Sequence, residues 1–342
     1  MPRWIRQLRA ALRLRVRRQY YLARAIRRNR RHMSAVRDRT ANIARGSILV
    51  FVTLRNERVR LPYFLDYYRR MGVAHFLCVD NASNDGSAEY LAQQRDVSLW
   101  TTKASYKAAR FGMDWINGLL LRHGIGHWCL TVDPDEFLIY PHCDTRPLRA
   151  LTDWLDASGI RSFSAMLIDA YPRGFIGEQT YREGDDPFEI ARWFDPANYT
   201  IQKNAEYGNL WIQGGPRGRA FFAQEPWKGP ALNKIPLVKW SRQYVYVSST
   251  HMLLPRSLNL VYDEDGGEKA SGCLLHAKFL STFADKAKEE LDRGQHYSDS
   301  HEYRAYHAGL QDDPNLWTPH SRELGDWRQL EELGLISKGN WA

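Results

Sequence analysis

Residues 47–80 read SILVFVTLRNERVRLPYFLDYYRRMGVAHFLCVD, and two periodicities alternate within them. Residues 47–54 form an unbroken apolar and β-branched run, the pattern of a strand covered on both faces in a parallel sheet. Leu61, Phe64, Leu65, Tyr68 and Met71 then recur at helical spacing until Gly72 stops them. Residues 75–80 are a second strand. It leads into NASNDGS, turn formers in which Ser83 or Asp85 caps a short helix reaching Gln94. Outward from this stretch, residues 97–100 read as a third strand, 111–122 as a helix and 127–133 as a fourth strand. Strand and helix alternate throughout, which predicts a doubly wound α/β sheet with helices on both faces.

Beyond Pro141 the periodicity predicts a helix over 149–157 and strands over 162–170, 234–240 and 244–248. Residues 171–233 are rich in Gly, Pro and aromatics, the composition of an insertion that builds a substrate site. From about Lys278 the chain turns polar and helical. The expected organisation is a basic arm over 1–45, a catalytic domain over 46–280 divided near 141, and a helical extension over 281–342.

Charge is distributed unevenly over the 342 residues. Fifteen arginines and one acid, Asp38, fall in residues 1–45, so the arm carries +14 and the remainder −5 of the overall +9. Trp4, Ile5, Leu8 and Leu12 fall at helical spacing among these arginines. Such a helix suits an anionic membrane surface, a phosphate backbone, or simply water. The acidic remainder lacks a nucleic-acid-binding pattern, which speaks against the second. The longest apolar run, residues 48–52, is far short of the roughly 20 residues of a membrane span. No apolar stretch follows the N-terminal charges as in a secretory signal. Cys78, Cys129, Cys143 and Cys273 form no close pair, so neither a disulfide framework nor a zinc site is expected, and a reducing, cytoplasmic setting follows.

A doubly wound sheet binds ligands at the carboxyl ends of its strands. Thr53 to Glu57, Asp80 to Ser87 and Asp133 to Glu136 occupy those ends. Neither GxGxxG nor GxxxxGK[ST] follows the first strand, which excludes the usual dinucleotide and P-loop sites. In WCLTVDPDEF, Asp133 and Asp135 stand two apart at a strand end. In an extended chain both point to one side, and Pro134 favours that geometry. Two such carboxylates can hold a divalent cation that grips a diphosphate; a bare turn is the alternative. The acidic triplet 263–265 lies in a Gly-rich segment and reads as a solvated loop.

With VTLRNE, VDNASNDGS and VDPDEF in these places, residues 49–141 resemble the nucleotide-binding half of a family 2 type glycosyltransferase with the GT-A fold. The LRNE opening and DEF ending are most similar to the bacterial DxDE-motif branch tied to surface polysaccharide synthesis. GGPRGR, KIPLVKW and LLHAKF resemble that branch less specifically. The resemblance implies an enzyme, a hexosyltransferase of the inverting kind, using Mn²⁺ or Mg²⁺. It would move sugar from a nucleotide-diphosphate donor to a saccharide or lipid-linked acceptor, in the cytoplasm or on the inner membrane face. Thr53 and Glu57 would border base and ribose, and Asp80 would accept a hydrogen bond from the base. Asp133 would contact ribose or the metal, with Asp135 and His276 as metal ligands and Lys278 on the diphosphate. His251 is the rival to His276, and either can be an ordinary core histidine. Glu57 can equally be a first-turn acid serving a helix dipole.

An inverting transferase needs a carboxylate base. Asp169, at the end of the strand after the metal motif, is the candidate, with Glu225 in the insertion as the alternative. In GGPRGR the glycines would let the backbone approach an anion near Arg217 and Arg219, unless both are surface arginines. A different class of function remains open: a non-catalytic protein on the same scaffold that binds membranes or polyanions. The acidic pair favours the enzyme, because aligned carboxylates repel unless a cation lies between them. A nucleotidyltransferase would carry a Gly-rich, lysine-bearing turn after the first strand, and none is present.

Overall fold

The computed structural model describes residues 2–261, 269–283, 286–289 and 314–341. Alternation within Ile48–Leu54 decides the layering. Ile48, Val50, Val52 and Leu54 enter one apolar layer, while Leu49 and Phe51 enter the other. Both faces of this strand are therefore covered, as a continuous apolar run requires.

The strands in chain order are β1 (Ser34–Arg37), β2 (Ile48–Leu54), β3 (His75–Asp80), β4 (Val97–Thr101), β5 (Trp128–Thr131), β6 (Glu136–Ile139) and β7 (Ser162–Tyr171). After them come β8 (Trp193–Phe194), β9 (Tyr199–Lys203), β10 (Leu210–Gly214), β11 (Asn233–Lys239), β12 (Val245–Ser248), β13 (Met252–Leu254), β14 (Ser271–His276) and β15 (Arg322–Glu323). One mixed sheet runs β1-β4-β3-β2-β5-β11-β7-β14-β6, with β8 and β15 extending from β7. Strands β4, β3, β2 and β5 are mutually parallel, and β7 and β14 pair in parallel. Antiparallel β11 joins the two groups, so all six point the same way.

Helices α2 (Leu61–Arg70), α3 (Ser87–Gln93) and α5 (Leu148–Ala157) cover one face through Phe64, Leu91 and Leu151 among others. Helix α4 (Met113–Leu119) covers the other through Trp115, Ile116 and Leu119. Each such side chain stabilises the fold by roughly 1.5–3 kcal/mol relative to exposure. The predicted helix over 111–122 begins as α-helix only at Met113, and from Leu120 to Gly124 it widens into a π-turn. The insertion carries α6 (Pro187–Ile190), the β9–β10 hairpin and α7 (Gly215–Phe221). Of the expected helical extension, residues 314–341 supply β15 and α8 (Trp327–Glu332); residues 290–313 and the acidic triplet 263–265 lie outside the described residues. All four cysteines are free. Among the described residues no helix is long and apolar enough to cross a membrane.

The arm departs most from expectation. Helix α1 (Arg3–His32) is not a separate tail, because its second half lies on α4 as a third layer. Arg24 Nε donates to the fully buried Asp114 at 2.7 Å, Asn29 reaches Trp115 O, and Leu14 and Ala25 are buried. Strand β1 then pairs with the edge of β4. A boundary at residue 45 therefore cuts through packed structure. The charge density of the arm concealed these contacts.

Candidate active site

The carboxyl ends of the six co-directed strands share one edge, where a cavity of about 660 Å³ opens. Thr53, Glu57, Asn81, Asp133, Asp135, His276 and Lys278 line it on the sheet side, and Trp211, Gln213 and Trp227 on the insertion side.

Asp133 to Glu136 is not the extended segment expected. The Glu136 N–H donates to Asp133 O at 3.0 Å, closing a tight turn between β5 and β6 around Pro134. Proline presets the backbone for the second position of such a turn, and here that preference outweighs strand continuation. The two aspartates consequently take different partners. Asp133 approaches Lys234 Nζ at 3.9 Å, and its N–H donates to Glu136 Oε2. Lys234 in turn forms a buried pair with Glu136 at 2.8 Å. Asp135 instead lies 3.3 Å from His276 Nε2.

His276 ends β14, where register sets it opposite Asp169 of β7 on one side and Glu136 of β6 on the other. Its Nδ1 donates to Asp169 Oδ1 at 2.6 Å, and Arg217 Nε donates to Asp169 Oδ2 at 2.7 Å. Asp135, His276, Asp169 and Arg217 thus form one buried chain of alternating charge. Burial opposes the charge on His276, but the two carboxylates outweigh it and raise its pKa. Burial likewise works against ionised Asp135, and the imidazolium overcomes it, holding that carboxyl well below the usual range. Asp169 is also held low, by Arg217 and His276 against burial. Asp133 behaves oppositely. Surrounding protein and the nearby Glu136 carboxylate push it up to about 7, although half its side-chain surface opens onto the cavity.

Asp169 was expected to be the catalytic base. It is buried behind His276 with both oxygens engaged, and it does not line the cavity. Glu225 is half-exposed, paired with Lys228, and also away from the cavity wall. Among the described residues, the carboxylates on that wall are Glu57, Asp133, Asp135 and Glu136. Glu57 is buried between Arg60 and Lys286. Asp80 lies one residue behind the cavity-lining Asn81. Its Oδ2 accepts from Ser83 N, its Oδ1 is buried with no hydrogen-bond partner among the described residues, and burial raises its pKa. Thr53 Oγ1 is a second buried polar atom without a partner.

Lys278 lines the cavity two residues past the end of β14, with its ammonium 5.5 Å from the centre of the Phe283 ring. His251 is held by Asn233 O at 2.6 Å, and burial together with Lys234 pushes it down to about 3, so it is a neutral wall residue. Neither arginine of GGPRGR is a surface residue. Arg217 is the last member of the buried chain, and Arg219 forks onto Asp195 at 2.8 and 3.0 Å. The glycines serve the chain itself: a Cβ at Gly214 would lie 2.1 Å from Asn198 O in the adjoining loop. Sequence reasoning placed Glu136 at a strand end without giving it a role, and it missed Lys234, which reads there only as the start of a strand.

Among the described residues no three His, Cys, Asp or Glu side chains form a ready-made metal shell. Asp133, expected as a ligand, is turned toward Lys234. Asp135 and His276 nevertheless fit a divalent cation. A carboxylate and an imidazole ordered from behind by a second carboxylate are the donor pattern for an ion that completes its shell with phosphate and water.

No protein-family model matches the chain, and no curated protein does. The solved structures with distant similarity include the following two. One is a 4-diphosphocytidyl-2C-methyl-D-erythritol synthase, 16% identical over 41% of this chain and 69% of its own, at a TM-score of 0.24. The other is described as a glucose-1-phosphate thymidylyltransferase from Bacillus anthracis in complex with sucrose, 7% identical over 84% of this chain and 93% of its own, at a TM-score of 0.30.

Proposed function

We propose that this protein is a metal-dependent glycosyltransferase of the family 2, GT-A type. It would transfer a hexosyl group from a nucleotide-diphosphate donor to a saccharide or lipid-linked acceptor in surface polysaccharide synthesis. The observation that carries this reading is the Asp135–His276–Asp169–Arg217 chain at the strand ends. A buried histidine between two carboxylates, opening onto a cavity, is expensive to assemble unless its outer face serves a ligand.

Asp135 and His276 would hold Mn²⁺ or Mg²⁺, which when bound supplies positive charge against the departing diphosphate. Asp169 holds the Nδ1 proton of His276 and so keeps Nε2 directed at the site. Arg217 keeps Asp169 ionised. Lys278 adds a cation on the wall where the diphosphate would lie. Thr53 and Asn81 would receive the nucleoside, with Asp80 directly behind Asn81 as the acceptor expected for the base. Trp211 and Trp227 offer apolar faces on the acceptor side.

The test is a screen of common nucleotide sugars with Mn²⁺, Mg²⁺ or chelator, reading release of nucleoside diphosphate. One donor should turn over only with metal, and Asp135→Asn should lower that rate by at least about a hundredfold. Donor binding without turnover would favour the non-catalytic scaffold. Turnover indifferent to both metal and Asp135 would refute the reading.

A further inference from the structure

The C-terminal half of α1 docks on the globule, whereas among the described residues nothing covers the outer side of its first eighteen residues, Arg3 to Tyr20. Leu14, Tyr21, Leu22 and Ala25 turn inward to the protein. Leu8, Leu12, Val16 and Tyr20 recur every four residues on the outer side, each close to three-fifths exposed. Soluble proteins rarely leave so continuous an apolar stripe in water. The helix contains no acidic residue, and Arg6, Arg9, Arg13 and Arg15 beside the stripe are all exposed.

We propose that α1 docks on an anionic membrane surface through Leu8, Leu12, Val16 and Tyr20, with the flanking arginines on the lipid phosphates. An apolar stripe bordered by arginines matches both layers of such a surface: hydrocarbon below and negative headgroups above. A nucleic acid would use the arginines but leave the aliphatic side chains wet. A second copy of the same helix would bring two strongly positive rods together, which repel.

Docking also fixes where the cavity goes. Arg24 donates to Ala108 O, and Arg110, stacked 4.1 Å over Tyr21, donates to Val247 O. The segments so tied to α1 carry Tyr106, Phe111 and Ser248, which line the cavity. A helix lying on lipid therefore brings that wall of the cavity close to the membrane. The surface stands on its own observations and does not depend on the reaction.

The experiment is vesicle sedimentation of the full chain with phosphatidylcholine alone and with phosphatidylcholine mixed with phosphatidylglycerol, across a salt series. Binding should require the anionic lipid and weaken as salt rises, since the attraction is screened within about 8 Å at physiological ionic strength. Combining Leu8→Glu, Leu12→Glu and Val16→Glu should weaken partitioning on the order of a hundredfold, because binding scales with buried apolar area. The melting temperature should stay unchanged. Should the triple variant misfold, Leu12→Ser alone provides a milder reading and should still bind measurably less. Anionic vesicles ignored at low salt, or bound equally by all variants, would overturn the proposal. So would single-stranded RNA bound tightly by a chain that ignores vesicles, or self-association that the triple variant abolishes.

Discussion

Asp169 sits behind His276 with both carboxylate oxygens engaged, one by His276 Nδ1 and the other by Arg217 Nε. Its position at the end of β7 was readable, because the apolar run before it was readable. Its partners were not, because Arg217 and His276 come from segments 48 and 107 residues away. In the proposed reading it is a positioning residue for His276, whose Nδ1 it holds. Asp169→Asn keeps the shape and one acceptor but removes the charge, so metal affinity should fall about 10–100-fold, as for other carboxylates behind a ligating histidine. Calorimetric titration with Mn²⁺ measures this directly, and an unchanged affinity would reduce Asp169 to a structural acid. The same substitution has a stability signature in the metal-free protein. The fold raises the His276 pKa, so its contribution is complete below about 6.5 and fades as pH rises through the raised folded value. With one carboxylate gone, that fading should begin at lower pH. Asp135 and Asp169 run the other way: their depressed values contribute above about 4 and are lost on acidification. Denaturant midpoints between about pH 6 and 9 separate the histidine from the acids.

At the level of elements, β2, β3, β4 and β7 were legible because each is a continuous apolar run buried on both faces, and α2 because its apolar residues recur at helical spacing. The turn between β5 and β6 was not. Two strands with a proline between them read as one strand and a tail, and only the sheet's demand that Glu136–Ile139 pair with β14 separates them. Helix α1 was legible as a helix but not as a packed one, since arginines occupy its inward side as well as its outward one. Arg24 and Arg110 together satisfy Asp114, a carboxylate with no exposure at all. Removing one partner of a buried pair typically costs about 3–5 kcal/mol, less here because Arg110 remains. Deleting residues 2–12 should therefore leave the melting temperature nearly unchanged, whereas deleting residues 2–45 should lower it sharply and broaden the transition. The longer deletion also strips β1 from the β4 edge and uncovers α4. Differential scanning calorimetry of the two truncations decides the matter, and equal melting temperatures would restore the picture of an independent tail.

Across the whole molecule, the cavity joins residues from both halves of the chain. Thr53, Glu57 and Asp135 come from the first half, and Trp211, Lys234 and His276 from the second. Antiparallel β11 makes this possible by linking the two parallel groups so that their carboxyl ends coincide. A ligand that fills the cavity therefore binds the folded chain and not its separated parts, and it should stabilise the molecule by mass action. The charge arrangement says which ligand should do so most. Lys278 and Arg60 line the cavity and act on Asp135 through their charge, so a diphosphate bridging toward a divalent ion should gain more than a monophosphate can. At a ligand concentration about a hundred times Kd the gain is about 2.7 kcal/mol, on the order of 4 °C for a chain of this length. Melting curves with a nucleoside diphosphate and Mn²⁺ should shift by that amount. The monophosphate, or the diphosphate with chelator, should shift the curve much less. In Asp135→Asn the metal-dependent increment should vanish while the metal-independent part persists, because the substitution leaves the nucleoside contacts proposed at Thr53 and Asn81 untouched. Equal shifts with diphosphate and monophosphate would place the nucleotide away from the Asp135–His276 pair and remove the basis for metal-assisted departure of the diphosphate.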